Sequence, residues 1–170
     1  MREPLDRKKD GSGFYRRLMV WSLIAGLIWL GAGCESTPGP KKQPKAQNIW
    51  VAAMEGNLPV LKAYLSGDRN LLNGRNESGL TPLHLAAWKG HADVVKFLLD
   101  QGADPNVVEN SGDTPLHYAA SWGFVDCARL LLSRGAEVNM RNRDGQTPLS
   151  RVSAPKPEIV ELLRRHGGVK

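Results

Sequence analysis

From residue 48 onward the apolar positions fall at helical spacing. Between Ala92 and Gln101, Val94, Val95, Leu98 and Leu99 share one stripe, and between Val125 and Arg134, Ala128, Leu131 and Leu132 do the same. Each segment predicts a helix with one buried face. A shorter segment opened by Thr-Pro precedes each of them, at Thr81-Pro82-Leu83-His84 and Thr114-Pro115-Leu116-His117. Proline at the first helical position loses no hydrogen bond and the threonine before it serves as N-cap, so both predict a helix start. Gly90 and Gly123 close these first helices in a left-handed turn, and Gly102 and Gly135 stop the second ones. The pairs Ala86-Ala87 and Ala119-Ala120 are small enough for neighbouring first helices to approach closely. The other pattern is the run from Leu18 to Gly33: sixteen residues without a charge, preceded by Arg16-Arg17 and ended by Cys34.

The helical pattern repeats. Thr81 to Ala87 recurs as Thr114 to Ala120 and, degraded, as Thr147-Pro148-Leu149-Ser150, each step being 33 residues. The same offset relates Gly90 to Gly123, Gly102-Ala103 to Gly135-Ala136, Asn106 to Asn139, and Gly79 to Gly112 and Gly145. Ile49-Trp50-Val51-Ala52-Ala53 with Gly56 matches Leu83 to Ala87 with Gly90 at an offset of 34, which makes residues 48–80 a divergent first repeat. A 33-residue period carrying Thr-Pro-Leu-His-x-Ala-Ala resembles the ankyrin repeat. The resemblance implies an all-α solenoid of about four helix-turn-helix repeats, at about 48–80, 81–113, 114–146 and 147–168, with short β-hairpin fingers between them. No such repeat buries its apolar face alone, so stacking supplies the core. The last repeat replaces the Ala pair by Val152-Ser153, and Pro155 and Pro157 predict a shortened first helix there. Lys156, Arg164, Arg165 and Lys170 place charge on its exposed side, as a capping repeat requires.

The N-terminal third reads as an address and an anchor. Sixteen residues make a helix of about 24 Å, short of the roughly 30 Å hydrocarbon core. A positive segment, a short apolar run and the small residues Gly31, Ala32 and Gly33 form a secretory signal peptide over residues 1–33. Leu30-Gly31-Ala32-Gly33-Cys34 resembles the lipobox of bacterial lipoproteins, which implies cleavage before Cys34 and lipidation of its thiol. Each buried methylene of an acyl chain contributes about 0.8 kcal/mol to membrane attachment. The alternative is an uncleaved, tilted helix with Cys34 idle at its end. Residues 34–47 hold Pro, Lys, Gln and Ser without a large apolar residue and read as a flexible tether of at most about 40 Å. Glu35 after the cysteine, rather than Asp, implies the outer membrane of a bacterial envelope, with the folded part facing the periplasm.

Charge removes one class of partner. The chain carries +6 in all, but residues 48–170 hold 14 Lys/Arg against 13 Asp/Glu. A phosphate-binding surface needs clustered cations, so no nucleic-acid partner is expected. Two cysteines exclude a disulfide scaffold. His84 and His117 sit one repeat apart, where packed helices lie about 8–10 Å axis to axis, too far for one zinc ion needing nitrogens at about 2.1 Å. The ankyrin resemblance implies that they instead hydrogen-bond Thr81, Thr114 and backbone in structural roles. Cys127 stands at an apolar helix position equivalent to Val94 and reads as a small buried hydrophobe. No GxSxG elbow, HExxH pair or glycine-rich phosphate loop occurs. No cofactor, no metal and no catalytic residue are therefore expected.

What remains is surface. In ankyrin repeats the finger tips and the end of the first helix line a concave groove. The resemblance carries this groove onto Glu77, Ser78 and Leu80; Met54, Glu55, Trp88 and Lys89; Asn110, Ser111, Asp113, Ser121 and Trp122; and Arg143, Asp144 and Gln146. Leu80, Trp88 and Trp122 are large and apolar where the repeat's packing asks for no such group, and tryptophan is enriched among residues that dominate binding energy. The expected function is a membrane-anchored, non-catalytic lipoprotein, a monomer, binding a protein partner through this surface. An envelope immunity protein that neutralises a toxin or enzyme is an alternative within the binding class. A hydrolase or redox enzyme, marked by a closed pocket around His84 or Cys127, is the competing class.

Overall fold

The structure, a computed structural model, describes residues 48–153 and 155–170. The signal segment, Cys34 and the tether lie outside the described residues. Seven α-helices occur among those described: α1 (Ile49–Glu55), α2 (Leu58–Gly67), α3 (Pro82–Lys89), α4 (Ala92–Asp100), α5 (Pro115–Trp122), α6 (Val125–Ser133) and α7 (Pro157–Arg165), with a 3-10 turn at Arg69–Asn73 after α2. None is long and apolar enough to cross a membrane.

Local chemistry sets the helix starts. Asn48 and Asn57 cap α1 and α2 by accepting the N–H groups of Val51 and Val60 at 2.9 and 3.3 Å. Pro82, Pro115 and Pro157 stand in the first turns of α3, α5 and α7. Helices α1, α3 and α5 form an inner row in direct contact; α2, α4 and α6 each pack on the inner helix before them, α4 meets α6, and α7 packs on α6. The inner row is close because its contacts are alanine: Ala52, Ala53, Ala86, Ala87, Ala119 and Ala120 are fully buried. Leu61, Leu98, Leu131, Ile159 and Leu163 fill the space between the rows. At Gly90, φ is +77° and a Cβ would stand 2.5 Å from the Phe124 ring, so the turn and the packing of the next repeat both demand glycine.

Two expectations need correction. No β-strand is present among the described residues, so the fingers are not β-hairpins. Each closes on only two backbone bonds, for example Glu109 N to Asp113 O at 3.1 Å and Gly112 N to Glu109 O at 2.9 Å. Successive fingers share one more, Asn110 N to Ser78 O or Arg143 N to Ser111 O. A ladder needs a series of such pairs. Side chains fold the turns instead: Asn76 Oδ1 accepts from Ser78 and Leu80, Glu109 Oε1 from Ser111 and Asp113, and Asn142 Oδ1 from Asp144 and Gln146, at 2.8–3.1 Å.

The fourth repeat is also not a helix pair. Thr147 and Ser150 exchange hydrogen bonds as a cap would, but the chain makes one turn over 148–151 and leaves it. Pro155 and Pro157 lack N–H groups, and a residue before proline avoids the helical region, so the inner helix has nothing to propagate on. Among the described residues the solenoid holds three helix pairs and α7.

Candidate functional site

The Thr-x-x-His pairs lie behind the surface and hold the repeats in register. Thr81 N–H donates to His84 Nδ1 at 3.2 Å, with the Thr81 hydroxyl 2.9 Å from the same nitrogen, and His84 Nε2 stands 3.1 Å from the Asp113 carbonyl of the next finger. Thr114 and His117 repeat the arrangement, with His117 Nε2 3.0 Å from the Gln146 carbonyl. These partners assign the neutral tautomer with the proton on Nε2. Burial pushes His84 down to about 4, against the opposing pull of the Asp113 carbonyl, and also lowers His117. Both rings are fully buried, and no group of three or more metal-ligating side chains is found among the described residues.

The inner-helix ends carry two parallel lines of equivalent positions, Met54–Trp88–Ser121 and Glu55–Lys89–Trp122. Trp122, at the end of α5, is 55% exposed, while Trp88 is half-buried. Trp88 leans on Tyr118 with ring centroids 6.4 Å apart, and the Lys89 ammonium lies 4.5 Å above the Trp88 ring. Tyr118 in turn meets the edge of His84 at 5.9 Å, so one face of Trp88 is braced by the scaffold. Met54 and Ser121 are half-buried, and Glu55 and Lys89 are exposed.

At the fingers, Glu77, Ser78, Asn110, Ser111, Arg143 and Asp144 are exposed at the tips. Leu80 and Gln146 are half-buried at the finger bases. Asp113 is different. Its carboxylate is covered, 2.8 Å from Arg151 and 2.8 Å from Asn142 Nδ2, so it is engaged within the fold rather than presented to a partner. Arg151 and Tyr118 are contributors the sequence does not advertise. Arg151 comes from the degraded fourth repeat, and Tyr118 stands where the preceding repeat has Leu85. Lys156 folds back so that its ammonium donates to the Ser121 carbonyl at 2.8 Å, one residue before Trp122.

The Thr–His pairs are fully buried and present neither hydroxyl nor imidazole to a substrate. Cys127 is buried and borders a surface depression of about 280 Å3 with Asp126 and Glu158, with no histidine in its lining. Burial, reinforced by Asp126 and Asp93, pushes its thiol up to about 12, where it stays protonated and unreactive.

A family model described as Ankyrin repeats (3 copies) matches residues 49–142 and 111–170. The chain is 41% identical over 58 residues to alpha-latrocrustotoxin-Lt1a of Latrodectus tredecimguttatus, covering 34% of this chain and 4% of the toxin. It is 39% identical over 70 residues to the human NAD-capped RNA hydrolase NUDT12, covering 41% of this chain and 15% of the hydrolase. It is 40% identical over 68 residues to human Ankyrin repeat domain-containing protein 49, covering 40% of this chain and 28% of that protein. The chain spans less than a third of the length of each of these relatives, whose names share no activity. The repeat itself is a non-catalytic scaffold for protein–protein interaction. The match from residue 49 to residue 170, joined to the helix pairs and Thr-His ties described above, places this chain in the ankyrin-repeat family.

Proposed function

We propose that this chain is a lipid-anchored ankyrin-repeat protein of a bacterial envelope. It is attached through Cys34, faces the periplasm from the outer membrane, and holds a protein partner against its finger tips and inner-helix ends without chemistry of its own. The observation that carries the binding surface is Trp122, a 55% exposed indole at a helix end whose packing does not use it, one repeat from the braced ring of Trp88. A large rigid aromatic beside a second one offers contact area at low conformational cost. The anchor rests on Leu30 to Cys34 and the charge-free run before them.

A photo-crosslinking residue placed at Ser121, on the groove, and another at Arg129, on the outer helix row, test the surface in cells. A discrete crosslinked species is expected from Ser121, lost when Trp122→Ala and Trp88→Ala are introduced. Equal crosslinking from Arg129, or a Ser121 product indifferent to both tryptophans, overturns the binding surface. Incorporation of an alkyne fatty acid that Cys34→Ser abolishes tests the anchor separately.

A further inference from the structure

Beside α7 lies a surface unlike the joints between the preceding repeats. The 148–151 turn, α7 and residues 166–170 border a groove of about 370 Å3, whose lining includes Leu149, Val152, Pro155, Val160, Arg164 and Lys170. Its shape is held from behind. Ile159, Leu162 and Leu163 bury one face of α7, which leaves Pro157, Val160 and Arg164, at i, i+3 and i+7, on a second stripe toward the groove. Residues 166–170 are pinned by Gly168 N–H to the Leu163 carbonyl at 2.8 Å, Val169 N–H to Asn139 Oδ1 at 2.8 Å and the Thr147 hydroxyl to the Val169 carbonyl at 2.6 Å.

Charge is sorted across α7. Glu158 and Glu161 border the opposite depression with Arg129, and Glu161 is paired there with Arg165 at 2.8 Å. The groove side holds Lys156, Arg164 and Lys170 and no acidic residue. Lys156 is turned onto the Ser121 carbonyl, but Arg164 and Lys170 make no ion pair among the described residues. An apolar floor under two uncompensated cations is complementary to an anionic, apolar-tipped ligand. The volume lies at the small end of ligand sites, room for one or two side chains rather than a long acyl chain. The tether of residues 34–47, with three lysines against Glu35, carries the wrong sign to occupy it.

We propose that this groove docks an acidic protein segment, seating one bulky apolar side chain on Leu149, Val152 and Val160 while its carboxylates meet Arg164 and Lys170. It is a second binding surface, separate from the tryptophan groove. The test is fluorescence polarisation of a labelled acetyl-Asp-Glu-Leu-Phe-Glu-Asp peptide against the full chain in neutral phosphatidylcholine nanodiscs. Saturable binding is expected, weakened at least tenfold by Arg164→Glu with Lys170→Glu and by Val160→Ser, and absent for the peptide with lysines in place of its acids. Trp122→Ala and the finger-tip control Arg143→Glu should leave it within twofold. Failure of the peptide to bind, equal binding of the lysine peptide, or indifference to both groove variants overturns the proposal. Saturable binding of decanoate there in place of the peptide overturns it in favour of a lipid ligand. Peptide binding that depends on Trp122 and not on Arg164 overturns it while leaving the tryptophan groove in place.

Discussion

Acidification from neutral pH should destabilise this solenoid before its carboxylates are fully neutralised, and His84 sets the size of the effect. Its Nδ1 accepts from Thr81 N–H, its Nε2 proton is directed at the Asp113 carbonyl, and the ring is fully buried. A proton on Nδ1 would displace the Thr81 donor and charge a dry site at once. The ring ionises near 6.5 in the unfolded chain and at about 4 in the fold. Below pH 6.5 the unfolded chain binds a proton that the fold refuses, so the stability present above pH 6.5 falls as pH drops, reaching a deficit of about 3 kcal/mol near pH 4. His117 is lowered in the same direction and adds to the loss. Asp100, held below its usual range by hydrogen bonds from Lys96 and Arg134, keeps its charge through this window and does not blur it. Urea unfolding of residues 48–170 followed by far-UV circular dichroism at steps from pH 7.5 to 4.5 measures the slope. The His84→Gln, His117→Gln double variant should be less stable at pH 7.5 and nearly flat with pH. A wild-type curve flat between pH 7 and 4.5, or a double variant that keeps the full slope, refutes the reasoning.

The buried end of the Asp113–Arg151 pair makes its arginine matter more than an exposed one: Arg151→Met should cost about 2 kcal/mol in urea titration by stranding a covered carboxylate. Arg134→Met, which breaks the exposed pair with Asp100 at 2.6 Å, should be indistinguishable from wild type, and equal losses would contradict the distinction. Gly102→Ala meets only its positive φ, with nothing within 4 Å, and should cost about 1 kcal/mol. Gly90→Ala adds the Phe124 clash and should cost clearly more, the reverse order being the result that sinks the packing account. Leu98→Ala, at a fully buried position between the helix rows, should cost about 2–5 kcal/mol and lower the melting temperature by many degrees.

What the sequence discloses here is what local chemistry decides. Thr-Pro starts, the glycines after each first helix and the 3.6-residue stripes act within a few residues of themselves, and the helices of the second and third repeats can be read from them. The divergent first repeat is legible through Ala52, Ala53 and Gly56, although Asn48 replaces the Thr-Pro start. The fingers mislead because turn residues flanked by short segments look alike whether a ladder follows or not. The decision is made by Asn76, Glu109 and Asn142, whose side chains satisfy the backbone donors that a strand would have needed. Asp113 looks like a variable finger position until Arg151, 38 residues later, reaches back to cover it, and no local pattern contains that contact. Lys156 is legible as a charge but not as the donor that closes over Ser121. The two prolines of the last repeat announce a shortened helix, but not that a single turn would be all that survived.

Repetition within the chain also separates the residues that build the solenoid from those the stack does not require. At the ties, equivalent positions keep the same chemistry: Thr81 and Thr114 each bond the histidine of their own helix, while His84 with His117 and Asn106 with Asn139 bond the same kind of backbone group 29–31 residues further along. Along the inner-helix ends the chemistry changes at every step, from methionine to tryptophan to serine and from glutamate to lysine to tryptophan. A position that the stack requires has its residue dictated by the neighbouring repeat, which is itself a near copy, so it tends to recur. Where even the class of residue does not recur, packing constrains it least. Trp122 meets that condition and is also exposed, whereas Trp88 meets it but rests on Tyr118. The braced ring can fix the geometry of a contact, and the free one has area still to be buried. A partner that covers both therefore gains new apolar burial chiefly at Trp122, and it is there that affinity should be most sensitive to substitution.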